Sequence, residues 1–387
     1  MPQTDRLADP EPFEMRGIEP ETLSAKNSFD VNRWTMLVED SLMPDVYYLP
    51  EYVRATTEIE QTEPLALIAG TASYRMLAPL LIRHMSATID GSPTEWLDAS
   101  TPYGYGGLLS LSRPDIFRPE HFRCFMDQLH AWCLDRRVVC CVIRLHPLIE
   151  QQNWIVPEDR WENRLQLYSR GTTSSIELSQ WNEKLDQPIG LRRDRRADMR
   201  TAARVLSVTW STGNDDDAAR KLDIFSGLYR ELVNRNAAES FYRFPQRYFT
   251  QLRTLGSRLG IALAWYGDEP VGGNLFLVGP RYAHGHLAAT NDIGRKYGAS
   301  TLLIVEGARQ ARRRGCELLH IGGGMKPGDS LEEFKRSFGG PSHVYRYITY
   351  IADHNMFDEI CRLPTAPWPY ILRDATPEPE YRTATRL

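Results

Sequence analysis

The sequence predicts an α/β chain in which mixed sheets are organised as two successive halves. Three observations lead there. Apolar strand-like runs alternate with helical periodicity over the first 150 residues. A second run from about residue 171 onward repeats the alternation. Within it a three-strand meander feeds a helix and then another strand, the pattern of a mixed sheet with helices on both faces. The expected divisions are a loose segment at 1–28, a first half at 29–170 completed by 346–387, and a second half at 171–345.

Each element has a local reason. DVYYLPEYVRAT at 45–56 reads as a turn and a short helix with aromatic anchors. Residues 63–85 read as two strands about Gly70-Thr71, because the apolar runs break at turn residues. TPYGYGG at 101–107 is a Gly/Tyr turn. In PEHFRCFMDQLHAWCLDRR, Phe122, Phe125, Met126, Leu129, Trp132 and Cys133 recur at helical spacing. VVCCVIRL then reads as a buried strand. In the second half SSIELS and VTWST are strands, and LRRDRRADMRTAARVL and AARKLDIFSGLYRELVNR are helices. PQRYFTQLRTLGSRLG is a further helix, with Pro245 in its first turn and Gly260 beyond its end. IALAWYGDEPVGGNLFLVGPRYAHGHLAAT gives three strands joined by Gly-Asp and Gly-Pro-Arg turns. STLLIVEGARQARRRG is a helix with Ser300 as N-cap and Gly315 as stop. CELLHI is a buried strand ending at Gly322-Gly323-Gly324, and VYRYITYIA is a last aromatic, β-branched strand.

Bulk properties narrow the function. The 387 residues, 42% hydrophobic and 25% charged, suit a globular chain of two to three domains. A formal net charge of -4 argues against a nonspecific nucleic-acid or DNA binder, although a local basic patch is compatible with it. The six cysteines form no C-x-x-C pair, so buried thiols in a reducing compartment are expected, with no metal site. The acidic, proline-rich start is no signal peptide, and no run supplies the ~20 apolar residues of a membrane span. A cytoplasmic protein is the expectation.

Four features carry chemistry. Gly322-Gly323-Gly324 is not followed by the Lys-Ser/Thr of a phosphate loop, so it reads as a turn. Arg192, Arg196, Arg200 and Arg204 recur every four residues, in a stretch with six arginines against two aspartates, a local +4. Such a helix face suits phosphates, and equally a solvated face. His284 and His286 alternate along a strand with Tyr282 and Asn291 nearby, which fits either a general base or hydrogen-bonded histidines. Phe334 and Phe338 lie four apart and anchor one helix face, so Lys335 and Arg336 point away from that anchor.

Taken in order, DVYYLPEYV, TPYGYGG, LRRDRRADMRTAARVLSVTW, FYRFPQRYF, YAHGHLAATN, LHIGGG and LEEFKRSFGG resemble the Fem-like branch of the GNAT acyltransferase superfamily, over roughly residues 30–350. The resemblance implies two GNAT-like subdomains around a central cleft. It implies transfer of an acyl group, usually an amino acid from aminoacyl-tRNA, to a small-molecule or peptide amine, with no bound cofactor. The family's F-K-x-x-F lysine, beside the tRNA 3′ end and the developing oxyanion, maps onto Lys335. His286 and Tyr105 are further catalytic candidates, and Asp98 and Tyr103 remain possible bases. Tyr103, Tyr242, Phe244, His284, Asn291, Phe334 and Phe338 are expected in the cleft. RKYGAS resembles in part the R/Q-x-x-G-x-G/A turn of acyl-CoA enzymes: Arg295 and Gly298 fit, and Ser300 replaces the last small residue. An acyl-CoA-dependent N-acyltransferase is therefore the alternative, and a non-catalytic binding protein the third reading. Peptidoglycan-modifying members tend to carry an acidic residue where Ser110 stands here, which places a peptidoglycan acceptor in doubt.

Overall fold

The computed structural model describes residues 17–362, except 60, 86–87, 90–91, 94, 156–163 and 237–241. Most of the segment expected to be loose, and residues 363–387 of the tail expected to complete the first half, lie outside these residues. Within the former, however, Glu21–Ser24 forms a strand, β1, because it pairs antiparallel with residues 65–68.

The first half continues with helices α1 (Ser28–Glu39) and α2 (Pro50–Thr56). Strands β2 (Glu63–Gly70), β3 (Arg75–His84) and β4 (Leu97–Ser100) follow. Helix α3 (Pro119–Asp135) then crosses to β5 (Val138–Arg144), which lies parallel to β4. Strand β6 (Leu165–Glu177) leads to the second half. There, α4 (Arg193–Val205), β7 (Ser207–Thr212), α5 (Ala218–Arg235) and α6 (Gln246–Leu252) precede the meander β8 (Leu259–Tyr266), β9 (Glu269–Val278) and β10 (Tyr282–Thr290). Helices α7 (Asp292–Lys296) and α8 (Ala299–Arg313) cross to β11 (Leu318–Gly323), parallel to β10. Helix α9 (Ser330–Arg336), strand β12 (Ser342–Ile351) and helix α10 (His354–Cys361) end the described chain.

Instead of two separate sheets, the strands form one 13-stranded mixed sheet among the described residues, in the order β1-β2-β3-β4-β5-β12-β6-β11-β10-β9-β8-β7 with Leu109–Ser110 added beside β3. Each half is a meander closed by a helix crossover to a parallel strand, and β12 and β6 join the halves edge to edge. Side-chain alternation sets the layers. On β8, Ile261 and Leu263 join the core under α5 and α6, whereas Ala262 and Ala264 join the core under α8. The first of these cores also holds Trp34, Tyr52 and Val53, so one apolar layer spans both halves.

Three local expectations change. Strand β6 is longer than SSIELS because β12 pairs along most of its length, from Leu165 to Ser174. The helix after Pro245 ends at Leu252 and continues as a 3-10 turn, since Gly256 at φ 58 breaks the ladder, and Gly260 belongs to β8. Ser300 lies inside α8, whose N-cap is the left-handed Gly298, while Gly315 ends it at φ 80 as expected.

Candidate active site

A cavity of about 230 Å³ opens where β6, β11 and β12 meet. The turn Tyr103–Tyr105 and Arg144 line it from the first half. His286, Gly322–Gly324 and Lys335 line it from the second, and Arg170 and Tyr345 from the junction.

Helix α9 presents Lys335. Asp329 caps its start, accepting from the Glu332 amide at 2.8 Å, and also accepts from the Met325 and Lys326 amides at 2.7 and 3.0 Å. Phe338 is buried, and Phe334 meets it edge to face at 5.4 Å. These rings fix the helix, and Lys335 projects from its other side into the cavity, where Nζ donates to the Gly323 carbonyl at 2.7 Å. Burial lowers its pKa to about 8, against the opposing pull of Asp329.

The glycine run is shaped by close approach. A Cβ on Gly323 would lie 2.4 Å from the Thr172 carbonyl, and one on Gly324 2.1 Å from Asp329 Oδ1. Gly322, at φ 72, is different: a Cβ there would lie 3.2 Å from Lys335 Nζ and 3.3 Å from Tyr105 Oη. Two polar groups thus flank one point that glycine leaves open.

Tyr105 packs edge to face on His320 at 4.7 Å and on Tyr345 at 5.1 Å. Burial and the neighbouring Tyr345 raise its pKa, so it stays a hydroxyl donor. That character fits a donor to an oxyanion rather than a base. His286 Nε2 lies 2.5 Å from Tyr248 Oη, and burial lowers its pKa to about 3. A ring held so neutral suits a hydrogen-bonding wall better than a general base at pH 7. Tyr103 meets His286 and Phe244 edge to face at 5.8 and 5.3 Å. Tyr242 also lines the cavity, whereas Phe244 packs behind Tyr103.

Other sequence candidates stand elsewhere. Asp98 is buried in a pair with Arg83 at 2.7 Å, away from the cavity lining. Asn291 caps α7 by accepting from the Gly294 amide at 2.9 Å. Phe334 and Phe338 anchor α9 rather than line the cleft, and Arg195 lies over Phe334 at 5.1 Å. The arginines Arg192, Arg196, Arg200 and Arg204 do not line the cavity either. Their helix starts against the end of α9, with the Arg192 amide bonded to the Ser337 carbonyl at 3.0 Å. Arg200 and Arg204 are exposed, and Arg196 donates to the Leu191 carbonyl at 2.6 Å.

RKYGAS does not form an open anion cradle. A Cβ on Gly298 would lie 3.3 Å from Asp198 Cβ on α4, so the start of α8 packs against that helix. Arg295 pairs with Asp292 at 2.8 Å, and Ser300 is intrahelical.

His284 is not in the cavity lining but fully buried behind it, with Nε2 2.8 Å from Asp45 Oδ2 and Nδ1 3.5 Å from His320 Nδ1. His146 Nε2 lies 3.5 Å from the same carboxylate oxygen. Asp45, His146 and His284 have metal-like spacing. The chemistry does not fit a metal: Leu148 N–H donates to His146 Nδ1 at 3.2 Å, so the neutral ring carries its proton on Nε2, where a ligand lone pair would be required. Burial would raise the Asp45 pKa, but the charge and the hydrogen bond of His284, with the His146 ring close by, hold it well below the usual carboxylate range.

Sequence reasoning missed Arg144 and Arg170. Each is a lone cation in or at the end of an apolar or small-residue strand, VVCCVIR and SRGTTSS, a signal that marks a charge pointed at something other than core.

A family profile described as an acetyltransferase (GNAT) domain matches residues 190–336. No curated protein matches the sequence. Among solved structures, FemX is similar at a TM-score of 0.61 and 11% identity, covering 89% of this chain and all (100%) of FemX. L-PGS from Bacillus licheniformis gives 0.52 and 13%, covering 85% of this chain and 94% of that one. The C-terminal domain of a putative lysylphosphatidylglycerol synthetase from Agrobacterium fabrum gives 0.50 and 13%, covering 85% and 93%. The chain thus shares its fold with FemX, and residues 190–336 within it match an acetyltransferase (GNAT) domain.

Proposed function

We propose that this chain, a Fem-like double GNAT fold, is an acyltransferase that forms an amide by moving an aminoacyl group from aminoacyl-tRNA to an amine. The observation that carries the reading is the convergence of Lys335 Nζ and Tyr105 Oη on the open point above Gly322. Attack of an amine on an ester carbonyl builds negative charge on the carbonyl oxygen. A fixed ammonium and a hydroxyl that stays protonated are the donors that charge requires, and loss of one such donor costs about 10²–10³ in rate. The ester C–O bond then breaks, the tRNA ribose oxygen leaves, and the amine gives up its proton. Among the described lining residues no carboxylate stands ready to take it, so the proton goes to solvent or to the leaving ribose oxygen.

The donor is favoured as tRNA over acyl-CoA by two features. The start of α8 packs against Asp198 of α4, so an acidic residue stands beside the amide end that a pyrophosphate would use. The exposed arginines of α4 begin beside α9 and offer phosphate contacts just outside the cavity. The test is transfer of radiolabelled amino acid from a charged tRNA pool to a mixture of amines, with ribonuclease and Lys335→Met controls. Ribonuclease-sensitive product that Lys335→Met abolishes supports the reading. Thiol release from an acyl-CoA with no product from any aminoacyl-tRNA would overturn it.

A further inference from the structure

Glycines recur along the cavity wall, and among the described ones all but Gly285 have a steric reason. Gly171 and Gly322 have φ of 122 and 72, and a Cβ on Gly104, Gly323 or Gly324 would lie 2.5, 2.4 or 2.1 Å from a neighbouring atom. Gly285 stands in the interior of β10 with φ outside the left-handed region. A Cβ there would meet the His320 carbonyl oxygen and Ile321 Cα at 3.7 Å and Ile321 Cγ2 at 3.9 Å, which are ordinary van der Waals contacts. The register of β10 against β9 shifts at this point, but the bulge that demands glycine needs a left-handed residue. Glycine weakens a strand interior, and where the backbone does not require it, it marks the close approach of another group. Parallel pairing of β10 with β11 ends at His284 and His320, so Gly285 and Ile321 are the first residues past the last pair. Both neighbours of Gly285 are anchored, His284 to Asp45 at 2.8 Å and His286 to Tyr248 at 2.5 Å, so this part of the wall is stiff.

We propose that Gly285 is a specificity-determining residue: its missing side chain leaves room beside Ile321 for a small aliphatic side chain on the transferred acyl group. The proposal rests on the transferase reading and adds the size of the acyl group to it. Ile321 immediately precedes Gly322, and consecutive Cα atoms are about 3.8 Å apart. An acyl carbon lies about 1.2 Å from its oxygen, and the next carbon about 1.5 Å further on. A carbonyl whose oxygen occupies the point above Gly322 therefore carries its substituent into the neighbourhood of Ile321 and Gly285. Ile321 supplies an apolar surface there, and a cavity of about 230 Å³ must also admit the amine, so the substituent is small and aliphatic.

The test is calorimetric titration of the full-length protein, without acceptor, using two graded series of probes. One series is adenosine carrying a glycyl, alanyl or valyl group in amide linkage at its 3′ position; the other is acetyl-, propionyl- and isobutyryl-CoA. In one series the larger acyl groups are expected to bind wild-type protein about tenfold more tightly than the smallest. Gly285→Val should lower the ratio of largest-probe to smallest-probe affinity about ten- to hundredfold, with Gly285→Ala in between. Thermal midpoints of both variants should equal or exceed that of wild type, because a side chain enters a strand at an unstrained φ. A ratio that Gly285→Val leaves intact in both series, or no binding by any probe, overturns the proposal. So does an equal loss for every probe with a lower midpoint, which would mark a backbone role for the glycine. Because no product is measured, failure here is separable from failure of the transferase reading, which shows only in the transfer assay. A size response confined to the CoA series would support Gly285 while counting against tRNA as the donor.

Discussion

Gly322 is the residue on which the proposed chemistry turns. Its φ of 72 is left-handed, and a Cβ there would lie a tight 3.2 and 3.3 Å from Lys335 Nζ and Tyr105 Oη, so a side chain fits only if those groups give way. Gly322→Ala therefore combines left-handed strain of about 1–2 kcal/mol with displacement of the lysine. A lower thermal midpoint and a fall in kcat larger than the rise in KM are expected, and unchanged kcat would remove the point above Gly322 from the mechanism. Lys335 sets the pH behaviour. Its pKa is lowered to about 8, so the cation present at pH 7 is lost as pH rises through about 8. The kcat profile should descend there, and Lys335→Arg, which stays charged, should move the descent upward while lowering the maximum. Tyr105→Phe should lower kcat by about 10²-fold without shifting either limb, because a hydroxyl donor, unlike a base, does not titrate in this range. A kcat left unchanged in that variant would take the Tyr105 hydroxyl off the developing oxyanion.

At the scale of elements, α4 and α9 divide the work between reach and chemistry. Arg200 and Arg204 are exposed on α4 and are not among the residues that line the cavity. Replacing both by Glu should weaken tRNA binding and flatten its salt dependence by about one to two phosphate contacts, while kcat at saturating donor changes little. Electrophoretic mobility shifts over a salt series measure this, and an unaltered salt slope would take α4 off the tRNA path. These two helices also show what was legible beforehand. Helices and meander strands were readable because each follows a 3.6 or 2.0 period, and Lys335 was readable because Phe334 and Phe338 mark the opposite helix face. The length of β6 was not, because its exposed half owes its strand form to pairing with β12, not to its own sequence. The break at Gly256 and the helix start at Gly298 depend on positive φ values that an amphipathic pattern does not encode. Arg144 and Arg170 come together only through the β5-β12-β6 order, a long-range pairing with no local signature.

Across the whole molecule, the two halves are tied behind the cavity by a buried polar knot. Asp45 comes from the segment before α2, His146 follows β5, and His284 and His320 sit on β10 and β11. Asp45 Oδ1 also accepts from the Tyr47 amide at 3.1 Å, which aims Tyr47 into the cavity. A buried carboxylate with such partners is costly to disturb from either side: Asp45→Asn should destabilise by about 3–5 kcal/mol, since it removes the charge and turns an NH2 donor toward either the Tyr47 amide or the imidazole that the second oxygen had served. The same knot dictates the response to acid. Burial lowers the pKa of His146 and His320, the latter further lowered by His284, and both stay neutral when folded. An unfolded histidine titrates near 6.5, so below that pH the unfolded chain binds protons that the folded chain refuses, and stability falls. Each such histidine contributes a slope of roughly 1.4 kcal/mol per pH unit until its folded pKa is reached. Asp45, depressed in the same fold, adds its loss only below the ordinary carboxylate range near pH 4. Thermal midpoints should therefore be level between about pH 7 and 8, decline below about 6.5, and steepen below about 4. His320→Gln, which cannot titrate, should start from a lower midpoint and decline less between pH 6.5 and 5. A wild-type midpoint equal at pH 5 and 7 would show that these histidines do not hold the halves together in the neutral form.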